Sequence, residues 1–310
     1  MPMSKPSNLQ NGTGTFMPGQ VRIVDYDVAN NNILVRGSAA FGAIVSDTTR
    51  LFVISDLINA IKSDSNWPEV SQAGITLGAN PFIMDFCLIG GFPSTVPAPT
   101  LDAQIVYNEE TWFSPNPPSL NGESLGSYPQ IVYAEIESNP GIMVFWPVQS
   151  VGWDANHLYP YLVNQAWTIS PKPSIDFSSY NFQQMPLLIN IALKNEVWPA
   201  FPTTQNSIIY VHCDSGVNRT GAVIVSYLML FGSNVSKFGL APTQPSKPYP
   251  LKQAQIASNR VPPLQDSTPN PGGTDISVAE AFCNYFATNH YDTNLVQQCV
   301  PLYNPNADMI

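Results

Sequence analysis

One short segment of this chain carries the residue types and the spacing that nucleophilic chemistry on phosphate requires. It runs from residue 208 to residue 221 and has the sequence IIYVHCDSGVNRTG. Within it, Cys213 is separated from Arg219 by five residues. A thiolate is a strong nucleophile, and the planar fork of a guanidinium can hold two phosphate oxygens at once. The spacing therefore predicts that Cys213 attacks a phosphorus atom whose oxygens Arg219 binds.

The elements on either side of this segment are those that an anion-binding loop needs. Residues 207–211 form a short apolar run typical of a buried strand, and residues 220–231 form an apolar run typical of a helix. A phosphate between them would lie at a helix N-terminus, where unpaired backbone N–H groups and the positive end of the helix dipole favour an anion. The same donors stabilise a thiolate and lower the pKa of a cysteine from its usual value of about 8.5. We therefore expect Cys213 to be ionised at neutral pH.

The residues around the cysteine are expected to form the phosphate-binding loop. Gly216 lets the loop fold tightly around an anion without a side chain in the way. Thr220 places a hydroxyl near the sulfur, and His212 is expected to orient the loop through hydrogen bonds rather than to act as a base. The residues expected to surround the phosphate are His212, Asp214, Ser215, Gly216, Val217, Asn218 and Thr220.

The segment resembles the signature of the protein tyrosine phosphatase superfamily, in which His-Cys is followed by five residues and then by Arg-Ser or Arg-Thr. The resemblance implies a metal-independent phosphatase without a cofactor, which acts through a phosphocysteine intermediate. The alternative is that Cys213 is an inert core thiol and Arg219 a structural residue. Arginine is scarce in this chain, which has five, and only Arg219 and Arg260 follow residue 50. An arginine would seldom fall at this distance from a cysteine by chance, and this disfavours the alternative.

The resemblance favours phosphorylated proteins as substrates, with phosphotyrosine first and phosphoserine or phosphothreonine as further possibilities. The glutamine loop of classical tyrosine phosphatases is not identifiable, although Gln253 and Gln255 are candidates, and this points to a dual-specificity-like branch. A phosphoinositide is less favoured because the loop lacks lysine and Asp214 would repel extra phosphates. An RNA 5′-triphosphate and a non-catalytic phosphate-binding protein remain as further alternatives.

A phosphatase of this kind also needs a general acid for the leaving oxygen. In the superfamily it is an aspartate on a loop about thirty to forty residues before the cysteine. Asp176 lies in that range, in a proline-rich stretch, and is the expected acid. Asp154, beside Trp153, is the alternative, and each of the two aspartates can also be a surface residue or a helix cap.

The composition excludes some partners. Among 310 residues, 44% are hydrophobic and 11% are charged, and the formal net charge is −10. An acidic chain has no general attraction for nucleic acid or for an anionic membrane, and no apolar run is long enough to span a bilayer. We expect a protein without membrane insertion and without nucleic-acid partners. Its compartment stays open, with the low charge hinting at a secreted or host-exposed protein.

The order of elements predicts an α/β fold, with a central mixed or parallel sheet flanked by helices and a strand-rich, loop-rich first half. We expect a tail over residues 1–20 and one domain over residues 21–310, with a strand-rich part at 21–149 and a catalytic part at 150–310. Four cysteines at these spacings do not make a zinc site. Cys283 and Cys299 either form a disulfide or remain buried thiols.

Individual segments carry more specific predictions. The pattern predicts strands at residues 21–24, 32–36, 130–136, 165–169 and 207–211, and helices at residues 51–61, 182–193, 220–231 and 277–289. The proline-rich stretches at residues 93–118 and 242–273 are expected to be loops or extended segments. The aromatic residues Phe145, Trp146 and Trp153 either pack in the core or line a substrate cleft.

Overall fold

The fold is built around one mixed sheet. The computed structural model describes residues 16–46, 49–89, 130–133, 141–146, 184–196, 206–216, 218–232 and 251–259, and the single positions 105, 106, 109, 112, 113, 279, 282 and 283. Asp154, Asp176 and Val217, and the strand predicted at residues 165–169, lie outside these residues.

Among the described residues, eight strands form a six-stranded sheet and a separate two-stranded hairpin. They are β1 (Arg22–Asp27), β2 (Asn32–Gly37), β3 (Phe41–Ser46), β4 (Thr49–Phe52), β5 (Phe82–Cys87), β6 (Gln130–Tyr133), β7 (Gly141–Phe145) and β8 (Ser207–His212). The large sheet has the order β1, β2, β8, β5, β7, β6, and β3 pairs with β4.

The middle of the large sheet is parallel and its two edges are antiparallel. Strand β8 runs parallel to β2 on one side and to β5 on the other, and β5 runs parallel to β7. Strands β1 and β6 pair in antiparallel fashion with β2 and β7. Every residue of β8 is buried, which suits its nearly continuous apolar sequence, because a central parallel strand is covered on both faces. The α/β class predicted from the sequence is confirmed.

The described helices are α1 (Ile54–Ser63), α2 (Trp67–Gln72), α3 (Gln184–Leu193), α4 (Asn218–Phe231) and α5 (Leu251–Asn259). Helices α3 and α4 pack against β2 and β8, and α5 packs against α4. The hydroxyl of Tyr227 in α4 donates a hydrogen bond to Oδ2 of the buried Asp25 in β1, at 2.9 Å. This bond adds a polar attachment to the apolar packing of α4 on the sheet.

Several predicted boundaries need correction. The helix predicted at residues 51–61 begins at Ile54, because residues 49–52 pair with β3 as strand β4. The apolar face of the helix is as predicted, since Leu57, Ile58 and Ile61 are buried. The described positions within residues 105–113 are helical and not extended, and Ile105, Val106 and Phe113 among them are buried.

The proline-rich stretch at residues 242–273 contains a helix that the sequence analysis missed. Helix α5 spans nine residues without a proline, Leu251–Asn259, and Leu251, Ala254 and Ala257 are buried on it. The prolines therefore lie on both sides of this helix, and they do not exclude a helix between them. Phe145 and Trp146 are fully buried, which gives them a place in the core rather than in a cleft.

The two parts expected from the sequence share the large sheet. Strand β8 comes from the second part and lies between β2 and β5 of the first.

Residues 16–20 of the expected tail lie on this domain, since the Met17 amide donates to Oγ of Ser38 at 2.8 Å and Gln20 is buried. Cys283 is disulfide-bonded, and Cys299, the partner that the sequence analysis considered beside free thiols, lies outside the described residues. None of the helices within the described ranges is long and apolar enough to cross a membrane.

Candidate active site

Cys213 lies directly after the central strand β8, at the edge of the sheet where the carboxyl ends of β2, β5 and β8 meet. Its side chain is a free thiol and is 1% exposed. Hydrogen bonds from both neighbouring segments continue beyond the paired strands: the Leu88 amide donates to the His212 carbonyl, and the Ala39 amide donates to the Asp214 carbonyl, both at 2.9 Å. The segment that carries the cysteine is therefore fixed from both sides.

Gly216 makes the sharp turn between the strand and the helix. Its φ is +73°, a conformation that residues with a side chain rarely adopt. A Cβ at this position would also lie 2.6 Å from the amide nitrogen of Ser38, so the loop here touches the backbone that follows β2. Both observations agree with the expectation that this glycine is needed for a tight loop.

Helix α4 begins at Asn218, so Arg219 and Thr220 lie in its first turn. Arg219 is partly exposed, as a residue that meets a ligand from solvent must be. Thr220 is fully buried, and its Oγ1 has no hydrogen-bond partner among the residues that the structure describes. The hydrogen bond expected from Thr220 to the Cys213 sulfur is thus not formed in this state.

The imidazole of His212 lies behind the cysteine in a fully buried charge cluster. We define this cluster as His212, Asp85 and Glu109. Nε2 of His212 is 3.1 Å from Oδ1 of Asp85 and 3.4 Å from Oε1 of Glu109, and none of the three side chains is exposed. On the other side of the ring, Nδ1 is 3.2 Å from the carbonyl oxygen of Cys213.

The charge cluster keeps the imidazole protonated. Burial by itself would lower the pKa of His212, but the carboxylates of Glu109 and Asp85 outweigh burial and raise this pKa to about 10. In a protonated imidazole both nitrogens carry hydrogen, so Nδ1–H donates to the Cys213 carbonyl, while Nε2 lies at ion-pair distance from the two carboxylates. The imidazolium is therefore one residue away from the candidate nucleophile and is paired with buried carboxylates.

Tyr210, two residues earlier on β8, supports the imidazole ring of His212. Its own ring stacks on that of His212, with centroids 5.4 Å apart and an interplanar angle of 21°. Its hydroxyl donates to the carbonyl of Ser38 at 2.5 Å. A Cβ on Gly37 would lie 2.8 Å from the tyrosine ring, so the glycine at the end of β2 makes room for it.

Cys87 adds a thiol to the charge cluster. Its sulfur and the ligand atoms of Glu109 and His212 lie within 4.8 Å of one another, and these residue types can bind zinc. Burial, followed by the charges of Glu109 and Asp85, raises the pKa of Cys87 well above its usual value, so this thiol is neutral. The same atoms therefore form an ion pair in this structure and are also close enough together to hold a metal ion.

Sequence reasoning singled out the segment at residues 212–220 but did not predict the residues that contact it. The predicted positions from Cys213 to Gly216 and from Asn218 to Thr220 lie together at the start of α4, whereas Asp154, Asp176 and Val217 lie outside the described residues. Asp85, Glu109 and Arg36 were not predicted. Asp85 had one usable indication, because it is a lone carboxylate in the apolar strand sequence FIMDFC.

The chain matches no family model, no curated protein and no solved structure. Function is therefore inferred from the residues and the geometry of this chain itself.

Proposed function

We propose that this protein is a cysteine-dependent phosphatase of phosphomonoesters, with Cys213 as the nucleophile. The observation that carries the proposal is the sequence of elements at the site. A buried parallel strand ends at His212, Cys213 follows it directly, the chain turns at Gly216, and helix α4 begins with Arg219 in its first turn. This arrangement directs the N-terminus of a helix of fourteen residues toward the segment that holds the thiol.

The proposed reaction has two steps. The Cys213 thiolate attacks phosphorus, the bond from phosphorus to the leaving oxygen breaks, and Asp176 gives its proton to that oxygen. Water then attacks the phosphocysteine while Asp176 accepts a proton, and inorganic phosphate and the thiolate are released. Arg219 and the loop amides bind the phosphoryl oxygens throughout, and neither step needs a metal or a cofactor.

The surroundings of the loop suit a bound anion of low charge. The protonated His212 lies behind the loop together with the carboxylates of Asp85 and Glu109, and the N-terminal end of α4 follows the loop. A helix N-terminus favours a bound anion. Asp214 opposes this tendency, and the absence of lysine from the loop makes highly charged inositides poorer candidates than a phosphorylated protein.

Within the phosphatases, we favour phosphotyrosine in proteins as the substrate, in the dual-specificity-like branch of the protein tyrosine phosphatase superfamily. The signature at residues 212–220 supports this choice. Phosphoinositides and RNA 5′-triphosphates are the competing substrates, and they are separated from phosphopeptides by a panel that contains all three.

A specific observation favours a second candidate function, a protein that binds phosphorylated partners without hydrolysing them. The Cys213 side chain is 1% exposed, so a substrate must reach the sulfur through the loop. If the sulfur stays out of reach, the loop and Arg219 still bind phosphate but no phosphocysteine forms.

Hydrolysis of a small aryl phosphate separates the two functions. We expect the wild-type protein to be active, to be inhibited by vanadate and to be insensitive to a chelator. Cys213→Ser should reduce the rate by more than about 10⁴-fold while phosphate binding is kept. The matched control is Cys87→Ala, which removes the second free thiol among the described residues and should remain active. Full activity of Cys213→Ser would exclude Cys213 from the mechanism, and an inactive wild-type protein that binds phosphate would favour the second function.

A further inference from the structure

Arg36 in β2 is a buried arginine that no motif of the sequence singles out. It is 3% exposed, and its guanidinium reaches the loop after Cys213. Nη2 donates to the carbonyl of Gly216 at 2.5 Å. Nη1 donates to Oγ and to the carbonyl of Ser258 in α5, at 2.5 Å and 3.2 Å. One side chain thus ties the loop to the sheet and to helix α5.

The bond from Arg36 holds the backbone of the loop at its turn. Gly216 has a φ of +73° and lies against the backbone that follows β2. A donor on the Gly216 carbonyl fixes the orientation of the backbone at this residue. Loops that bind phosphate through backbone N–H groups depend on a fixed backbone orientation.

The charge of Arg36 has no acidic partner in the part of the chain that the structure describes. Its hydrogen bonds all go to carbonyl and hydroxyl oxygens, and its Nε has no hydrogen-bond partner. A buried charge without a counter-charge is costly. Burial, together with the neighbouring charge of Arg22, lowers the pKa of Arg36 to about 10, and a negative charge on Cys213 acts in the opposite direction.

We propose that Arg36 is a positioning residue of the site, which holds the anion-binding loop through the Gly216 carbonyl and whose counter-charge is the Cys213 thiolate or the phosphate bound beside it. The proposal rests on the proposed function, because it assigns to Arg36 a part in binding the same anion. Arg36 acts through the loop and through its charge, whereas Arg219 is the guanidinium expected to contact phosphate.

The test uses substitutions that separate the charge of Arg36 from its hydrogen bonds. Arg36→Met removes both, Arg36→Lys keeps the charge but cannot hold Gly216 and Ser258 together, and Ser258→Ala removes only the bond to α5. The control is Arg22→Met, because Arg22 is paired with Arg36 in the sheet but donates to the carbonyls of Gly19 and Val21. The other charged residues next to Cys213, which are His212, Asp214 and Arg219, stay unchanged in every variant.

Three measurements are made on each full-length variant. They are the rate of Cys213 alkylation by iodoacetamide as a function of pH, the increase in Tm caused by inorganic phosphate, and kcat and KM for an aryl phosphate. For Arg36→Met we expect the alkylation midpoint to move up by about one pH unit and phosphate binding to weaken by about tenfold or more. Arg36→Lys should keep the midpoint near that of the wild type but raise KM. Arg22→Met should match the wild type in all three.

A folded Arg36→Met with the wild-type alkylation profile and wild-type phosphate binding would overturn the proposal. If Arg36→Met does not fold, the milder variants decide: wild-type KM and phosphate binding in both Arg36→Lys and Ser258→Ala would overturn it as well. A different result would show that the phosphatase assignment is wrong while the role of Arg36 is right. In that case the wild-type protein does not hydrolyse the aryl phosphate, but alkylation of Cys213 and binding of phosphate still depend on Arg36.

Discussion

Nε2 of His212 lies 3.1 Å from Oδ1 of Asp85, and neither side chain is exposed to solvent. The two residues belong to neighbouring parallel strands that are far apart in the sequence, β8 and β5. Asp85 therefore acts on the candidate nucleophile through the histidine that precedes it. The carboxylate of Glu109 and, after it, that of Asp85 raise the pKa of the imidazole, and the imidazole in turn binds the Cys213 carbonyl.

Asp85→Asn should lower the pKa of His212 by at least about one unit, because the amide keeps the shape of the carboxylate but not its charge. Removing one member of a buried ion pair also destabilises the fold, by about 3 kcal/mol. The pKa is measured from the NMR titration of the imidazole, and the free energy of unfolding from urea denaturation. Asp56→Asn on the exposed face of α1 is the control and should change neither quantity. An unchanged His212 titration in Asp85→Asn would show that Glu109 alone sets the charge.

The raised pKa of His212 also predicts how stability depends on pH. The folded protein binds the imidazole proton up to a pKa of about 10, whereas the unfolded chain releases it near the ordinary histidine pKa of 6.5. The resulting stabilisation is complete below pH 6.5 and is lost as the pH rises toward 10. We expect the free energy of unfolding to fall between pH 7 and pH 9, before tyrosines titrate. His212→Gln should flatten this slope, and an equal slope in that variant would assign the effect to other groups.

Gly216→Ala should disrupt the loop, because the new Cβ would face the Ser38 amide nitrogen at 2.6 Å in a backbone conformation with φ of +73°. We expect a loss of about 1–3 kcal/mol in stability and a loss of more than about 100-fold in kcat/KM. Gly78→Ala is the control, since nothing lies within 4 Å of a Cβ at that position. Near-normal hydrolysis by Gly216→Ala would mean that the loop has another conformation in the working enzyme.

Asp176→Asn tests the general acid that the sequence predicts. A positioned acid contributes about 10²–10⁴-fold, so we expect a decrease of that size in the rate and the loss of the corresponding limb of the pH–rate profile. Asp154→Asn is the comparison and should change the rate little. If Asp176→Asn retains both the rate and the profile while Asp154→Asn loses them, the acid is Asp154. An aryl phosphate with a very acidic leaving group should respond less to loss of the true acid.

The strand, loop and helix at residues 207–231 could be predicted from the sequence because their pattern is local. An apolar run, a glycine turn and a helical apolar run follow one another without interruption. The residues that support the loop could not be predicted in this way. Arg36 and Asp85 come from strands more than a hundred residues earlier, and only the order β2, β8, β5 places them beside it. Helix α5 was not predicted because it is short and the segments on both sides of it are rich in proline, which is typical of a loop.

Strand β8 enters the sheet between two strands that precede it by more than a hundred residues. During synthesis on the ribosome, β2 and β5 therefore stay unpaired with β8 until most of the chain has emerged. Until then both expose apolar edges, which invite aggregation. When β8 pairs with both strands, the sheet is completed and the anion-binding loop forms at the same time. A partly synthesised chain therefore has neither the complete sheet nor the loop.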